Sequence, residues 1–266
     1  MNNPALSVDH SETTAIITGG TQGLGLSVAR QLVASGCSRL MLAGRSESKG
    51  AAAIEELTAL GAEVGFSSID LADASNAGKL VESTIERFGS VNALVNGAAA
   101  CDRGKITDIS ADQLERMLSI NLKAPLFLIQ RLVQHLLETK QTGSIVNVIS
   151  QSAYCGQSFL TDYSVSKGAL MTLTKNVANA HRYDRIRCNA VMPGWMDTPG
   201  EDATQKLYHQ ASDDWLAKAE QLQPFGKLIK TDELAILISY ILSPQAGVMT
   251  GSLVDYDQNV HGSYPE

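Results

Sequence analysis

The chain has 266 residues, 44% of them hydrophobic, and a formal net charge of −7. That length suits one large domain with a sizeable core, burying roughly 75% of the surface its unfolded form exposes. No apolar run approaches the ~20 residues of a spanning helix, and an acidic chain without a basic block repels a phosphate backbone, which argues against membrane and nucleic-acid partners.

Residues 1–13 have neither the basic start nor the apolar core of a targeting segment, so the expected address is the cytoplasm. Thr14–Thr18 (TAIIT) reads as a buried strand and 19–25 as a glycine-rich turn. A helix over 24–35 turns Leu26, Ala29, Leu32 and Val33 toward a sheet, with Gly36 as its stop. A second strand spans 39–42, a helix 48–60 closed by Gly61, and a third strand 64–68. The next helix, 76–88, stops at Gly89 and leads into a fourth strand over 91–95. A long helical stretch over 111–137 precedes a fifth strand, 144–149, and a helix over 162–179 feeds a sixth, 186–191, ending at Pro193-Gly194. A polar, mostly helical insert lies between Thr198 and Gln223, followed by a helix over 232–242 and a strand-like Leu253–Tyr256.

Strands alternating with helices from end to end predict an α/β, Rossmann-type doubly wound, mostly parallel sheet flanked by helices, with residues 1–266 as one domain. In such a sheet ligands bind outside the carboxyl ends of the strands, where the insert emerges, so 198–223 is the predicted lid. Cys37, Cys101, Cys155 and Cys188 stand far apart and read as reduced thiols, and the histidines (His10, His135, His181, His209 and His261) have no ligand spacing, so no metal is expected.

Gly19, Gly23 and Gly25 follow a strand and open a helix, and without side chains the backbone can approach a pyrophosphate at the positive helix end. The same glycines also suit a plain tight turn. At the end of the second strand stand Ala43, Gly44, Arg45 and Ser46. No carboxylate is present there for a ribose 2′-hydroxyl, whereas Arg45, with Ser46 and Lys49, offers a clamp for a 2′-phosphate and favours NADP over NAD. Arg45 and Lys49 equally suit solvated charges at a helix start.

Tyr163 and Lys167 are i and i+4 on one predicted helix and share a face. A free phenol titrates near pH ~10, and a nearby ammonium favours the phenolate, which suits proton exchange at neutrality. Ser150 stands at the carboxyl end of the fifth strand, where its hydroxyl can hold a substrate oxygen beside Tyr163. It also suits a strand-ending serine bonded to the backbone. Asn121 lies within the long helical stretch, a setting in which asparagine usually faces solvent.

Taken together, T-G-x-x-x-G-x-G over 18–25 and Tyr163-x-x-x-Lys167 resemble the motifs of the short-chain dehydrogenase/reductase family. The resemblance extends to LVNGAA at 94–99, Asn121 in N-L-K-A-P, GSIVNVIS at 143–150, IRCNAVMPG at 186–194 and Thr250-Gly251. It implies a sheet of about seven strands and hydride transfer between a nicotinamide and a small alcohol or carbonyl substrate. It implies that Tyr163 carries the proton, Ser150 orients the oxygen, Lys167 tunes the tyrosine and reaches the ribose, and Asn121 anchors a water in a relay to the lysine. For the cofactor it implies Thr21, Gln22 and Leu24 with the glycines, Asp70 beside the adenine with Leu71, then Asn96, Gly97 and Ala98. Pro193, Gly194 and Met196 follow, with Thr198 at the nicotinamide amide. It also implies a homodimer or homotetramer.

The chain departs from the family pattern at Gln22, where many NADP-dependent relatives carry a basic residue. It departs again at 97–99 (GAA), which puts one hydrogen bond beneath the cofactor in doubt, and at 257–259 (DQN), a tail suited to a subunit contact. Substrate-facing candidates are Ser152, Ala153, Tyr154, Asp102, Arg103, Trp195, Met196, His209 and Trp215, each of which also suits packing. Glu201, Asp202, His209, Asp213 and Asp214 in the insert suggest a sugar, polyol or cyclitol. Two rivals remain: a non-catalytic dinucleotide-sensing protein, which usually lacks one of the four catalytic residues, and a nucleotide-sugar epimerase or dehydratase, which carries T-G-x-x-G-x-x-G instead.

Overall fold

The structure, a computed structural model, describes residues 7–73, 75–154 and 156–262; Met1 to Leu6 and Cys155 therefore lie outside the described residues. In chain order the first half comprises β1 (Thr14–Thr18), α1 (Gly23–Ala34), β2 (Arg39–Gly44), α2 (Glu47–Ala59), β3 (Glu63–Ser68), α3 (Ser75–Phe88), β4 (Ala93–Asn96), α4 (Ala111–Leu118) and α5 (Ala124–Thr139). The second half comprises β5 (Gly143–Val148), α6 (Thr161–Ala180), β6 (Ile186–Pro193), β7 (Met196–Asp197), α7 (Pro199–His209), α8 (Trp215–Gln221), β8 (Ile229–Lys230), α9 (Thr231–Leu242) and β9 (Leu253–Tyr256).

Seven strands form one parallel sheet in the order β3-β2-β1-β4-β5-β6-β9. Successive side chains of a strand point to opposite faces, so Ile16 enters one core layer and Ala15 and Ile17 the other. The Ala15 and Ile17 face packs on Val28 and Leu32 of α1, Leu57 of α2 and Ile238 of α9. The Ile16 face packs on Leu80 of α3, Leu128 and Leu132 of α5 and Val177 of α6. Covered on both sides, the strands can be apolar throughout, and all five residues of β1 are buried. Strand order reverses between β1 and β4, which opens a crevice at their carboxyl ends.

The predicted helical stretch over 111–137 is in fact three pieces: α4, a π turn over Ser119–Lys123, and α5. Pro125, in the first turn of α5, explains the break. It has no N–H to give the carbonyl of Asn121, and its ring crowds that carbonyl, so the chain widens by one residue just before it. No helix among the described residues is long and apolar enough to cross a membrane.

The insert over 198–223 forms two helices, α7 and α8, set on the short parallel ribbon of β7 and β8. Its own small core consists of Trp215, Ala219 and Leu228. The tail over 257–259 turns back onto the end of this insert, with Gln258 accepting from the Phe225 amide at 2.8 Å and donating to the Lys227 carbonyl at 2.6 Å. The unusual DQN segment therefore has an intramolecular role.

Cys37, Cys101 and Cys188 are free thiols. Burial pushes Cys37 up to about 11 and Cys188 up to about 12, which keeps both in the unreactive thiol form.

Arg187 of β6 closes the carboxyl end of α9. Its guanidinium donates to the carbonyls of Ile241 (2.7 Å), Leu242 (3.0 Å), Ser243 (2.8 Å) and Met249 (3.3 Å). The first three belong to the orphan acceptors a helix end leaves, met by a cation at the negative pole. Arg187→Met strands several buried carbonyls at once and is expected to lower the free energy of unfolding by about 2–4 kcal/mol, read from urea denaturation. A loss below about 0.5 kcal/mol would show that water replaces the guanidinium at no cost.

Candidate active site

The first wall of the crevice is the turn between β1 and α1. Gly19 has φ +68°, and a Cβ on Gly25 would lie 2.2 Å from the Gly19 carbonyl oxygen, so this turn accepts no side chain there. No acidic residue occupies the first turn of α1, which leaves its positive end open to an anion. Beneath the turn, Thr18 Oγ1 accepts from the amides of Gly97 (3.1 Å) and Ala98 (3.2 Å). The support placed in doubt by the GAA segment is therefore supplied by backbone amides.

At the end of β2, Arg45 is exposed on the crevice wall and makes no hydrogen bond or ion pair with the described residues. Ser46 caps α2, its hydroxyl accepting from the Lys49 amide at 3.4 Å. The ammonium of Lys49 donates to Gln22 Oε1. A positive charge thus reaches the Gln22 position from the neighbouring helix. Asp70 caps its own turn by accepting from the Ala72 amide at 2.9 Å.

The crevice encloses about 640 Å³. It is lined from Arg45, Ser46, Asp70 and Leu71, past Thr21, Gln22, Leu24 and the three glycines, to Gly97, Ala98, Tyr163, Lys167, Met196 and Thr198. Three expected cofactor residues do not line it. Asn96 is buried and donates to Asn147 Oδ1 at 2.8 Å, Pro193 is buried in β6, and Gly194 faces Asp257, whose carboxylate would clash with any Cβ. An anion-ready helix end, a glycine cradle and a free guanidinium along one elongated cleft fit a dinucleotide.

At the other end of the cleft the Ser150 hydroxyl, though it does not line the cleft, is close enough to the Tyr163 phenol to oppose the effect of burial on it. It also contacts Ser152 Oγ at 2.8 Å and accepts from the Ser152 amide at 3.2 Å. Lys167, 2% exposed, donates to the Val148 carbonyl at 2.8 Å and lies 5.7 Å from the centre of the Tyr163 ring. Contrary to the expected pull of the ammonium on the phenol, burial dominates both groups. It pushes Tyr163 above its ordinary value, helped by Cys101 and Glu201 and opposed by Ser150 and Arg103. It pulls Lys167 down to about 8.

Asn121 departs from the solvent-facing asparagine expected of a helix, because it is fully buried. Its Oδ1 accepts from the Ala100 amide at 2.8 Å, and its Nδ2 donates to the Ala100 carbonyl at 2.9 Å and to Ser166 Oγ at 3.0 Å. With its side chain committed to these bonds and to Met117 Sδ at 3.1 Å, it clamps the loop after β4 onto α6.

Of the substrate-facing candidates, Asp102 and Met196 line the cleft, and several others serve other roles. Trp215 is buried in the core of the insert and donates to Asp202 at 2.8 Å. Tyr154 donates to Asp255 at 3.1 Å, and Ser152 and Ala153 line a separate hollow on the other side of Ser150. His209 accepts from Arg103 at 3.3 Å and meets the Phe159 ring edge-on. Asp202, Asp213 and Asp214 form ion pairs with Lys206 and Lys218, so these acids do not address a substrate. Trp195 stacks on Trp215 at 6.1 Å and lies near the cleft without lining it. Beside Asp102 the cleft is lined by Cys101, Arg116, Glu201, Thr204, Leu207 and Tyr208. Of these, Tyr208 donates to Asp102 at 3.4 Å, drawing α7 over the loop after β4. Glu201 had a legible signal: Thr198-x-x-Glu201 is a capping box, and Thr198 Oγ1 does accept from the Glu201 amide at 2.9 Å.

The family model for short chain dehydrogenases matches residues 13–208, and the chain belongs to that family. L-rhamnose 1-dehydrogenase (NAD(P)(+)) of Azotobacter vinelandii is 32% identical over 253 residues, covering 92% of this chain and 95% of its own. A solved structure of an actinorhodin polyketide ketoreductase variant with NADPH shares 25% identity, with a TM-score of 0.85 over 94% of this chain and 98% of its own. L-sorbose reductase of Gluconobacter frateurii, solved with NADPH and L-sorbose, has the same fold, with a TM-score of 0.90, 24% identity, and coverage of 97% and 100%. The protein is an NAD(P)-dependent oxidoreductase of this family.

The buried lysine has a measurable signature. Its folded value, about 8, lies below the ~10.4 of an unfolded lysine. Between those values the unfolded chain binds the extra proton, so the Lys167 contribution to stability rises with pH, complete above ~10.4 and absent below about 8. The span is on the order of 3 kcal/mol. Subtracting the stability–pH curve of Lys167→Met from that of the native protein should isolate this rise, since the other titrating groups are common to both. A flat difference curve would show that Lys167 stays solvated.

Proposed function

We propose that the protein uses NADP(H) to interconvert an alcohol and a carbonyl in a small polyhydroxylated substrate such as a sugar, polyol or cyclitol. The observation that carries this reading is the Lys167 ammonium 5.7 Å from the centre of the Tyr163 ring on the wall of a dinucleotide-sized cleft, with Ser150 close enough to the phenol to oppose the effect of burial on it. When bound, the nicotinamide supplies or receives the hydride. Tyr163 gives or takes the proton at the substrate oxygen, and Ser150 holds that oxygen in place. Lys167 holds a positive charge against the ring at the point where a phenolate forms. Asn121 sets the distance between Tyr163 and the loop at Ala100, and its carbonyl, which Pro125 cannot serve, is the group suited to receive a relay water.

The choice of NADP rests on Arg45, a guanidinium without a protein partner beside Ser46, and on Lys49 reaching the Gln22 position. The polyol class draws on Asp102, Glu201, Thr204 and Tyr208 in the cleft lining and on similarity to a rhamnose dehydrogenase. The chain is proposed to work in the cytoplasm as a single-domain homodimer or homotetramer. The presence of Asn121, Ser150, Tyr163 and Lys167 together favours an enzyme over a dinucleotide sensor.

Titration with NADPH and NADH should show tighter binding of NADPH. Arg45→Glu should cost about 10- to 100-fold in NADPH affinity and under about threefold for NADH. Tyr163→Phe should retain NADPH binding and lose turnover across a panel of sugars, polyols and simple ketones. Equal affinity for the two dinucleotides would overturn the Arg45 assignment, and undiminished turnover by Tyr163→Phe would overturn the mechanism.

A further inference from the structure

Glu201, in the first turn of α7, is the one acidic residue of the insert that lines the cleft next to Tyr163. Both bonds to its carboxylate come from neutral donors and converge on one oxygen. Trp195 Nε1 donates to Oε1 at 2.8 Å, and Gln205 Nε2 donates to the same atom at 2.7 Å. It has no ion pair among the described residues, whereas Asp102 on the facing loop is paired with Arg116, and Asp202, one residue on, with Lys206. Its Oε2 accepts nothing from the described residues. The charge is close enough to Tyr163 and Cys101 to raise the values of both groups.

A half-satisfied carboxylate on the wall of a reaction chamber has two physical consequences. Its free oxygen is a strong acceptor, worth most to a donor that arrives without its own water. Its charge, without a cation beside it, repels a second anion across a partly desolvated space.

We infer that Glu201 is a specificity-determining residue that accepts a hydrogen bond from a substrate hydroxyl close to the reacting carbon and turns away substrates carrying a carboxylate or phosphate at that position. The inference rests on the proposed polyhydroxylated substrate class and deepens it: the substrate is neutral, with a hydroxyl near the carbinol or carbonyl centre. The indole of Trp195 and the amide of Gln205 fix the carboxylate plane, so the selected hydroxyl is one placed by the same contacts that seat α7 on its ribbon.

Glu201→Gln is a clean probe because a glutamine Oε1 can still accept from Trp195 and Gln205; the change replaces only the free acceptor and the charge. Steady-state kinetics with NADPH on three carbonyl substrates provides the test: a neutral hydroxyketone, a keto acid of similar size and cyclohexanone. For the hydroxyketone, Glu201→Gln should raise KM about tenfold and change kcat less than about threefold. The native preference for the hydroxyketone over the keto acid should shrink by about 10-fold or more. Turnover of cyclohexanone should be nearly unchanged. In the oxidation direction, the pH–rate profile of the variant should rise at lower pH than that of the native enzyme, since removing the charge eases formation of the phenolate. A merely structural role would not move that profile.

Unchanged KM and unchanged discrimination in the variant, with the native enzyme active on the hydroxyketone, would overturn the inference and leave the proposed function standing. Native turnover confined to cyclohexanone would instead sink the substrate class, and the role of Glu201 with it.

Discussion

The two-way grip of Asn121 on the backbone of Ala100 is the contact on which the site depends. It joins three parts of the chain that have no covalent reason to meet: the loop after β4, the π turn before α5, and α6 through Ser166. The first carries Gly97 and Ala98 under the glycine turn, and the last carries Tyr163 and Lys167. A buried amide and carbonyl left without partners would each cost about 1–3 kcal/mol, so the loop is held in one place rather than sampling several. The distance between the loop at Ala100 and the helix that carries Tyr163 follows from this one asparagine.

Its placement in turn depends on Pro125. A regular helix through 111–137 would carry Asn121 in standard register, and the missing N–H of Pro125 breaks that register by one residue. The insertion turns a side chain that would ordinarily face water into the interior, where its amide is met by protein groups. The same economy governs Lys167. Its stem crosses the core of α6 and its ammonium finds the Val148 carbonyl at the end of β5, so a charge that burial opposes is kept within reach of the tyrosine ring.

Much of this was legible in the residues. Strand and helix order emerged from apolar runs and glycine stops because a doubly covered parallel sheet tolerates few polar residues in its strands, as TAIIT in β1 illustrates. The cleft ends, Arg45 on one side and Tyr163 on the other, followed from local motifs whose spacing is fixed within one turn or one helix. What local pattern could not reveal were contacts across the fold: Asn121 against Ala100, Lys49 against Gln22, Gln258 against the loop at Phe225. The break at Ser119–Lys123 was signalled by Pro125 and is missed when periodicity alone is read. The aromatic residues misled most, since Trp215 serves the core of the insert and Tyr154 the Asp255 contact.

The acidic character of the insert is a surface property with one exception. Asp202, Asp213 and Asp214 are spent on Lys206 and Lys218 at exposed positions, where such pairs contribute little to stability. Glu201 differs only by its place on the helix, yet that place orients its carboxylate by two neutral donors and leaves it facing the reaction chamber. Composition counts all four acids alike. The fold separates them because Thr198 caps α7 on the rim of the cleft, a helix of 3.6 residues per turn directs Glu201 and not Asp202 inward, and Asp213 and Asp214 lie beyond the end of that helix. The discrimination proposed for Glu201 therefore depends on where Thr198 sets the first turn of α7, and Asp213 and Asp214 can change without touching it, whereas Asp202 is tied to Trp215 and through its ring to Trp195.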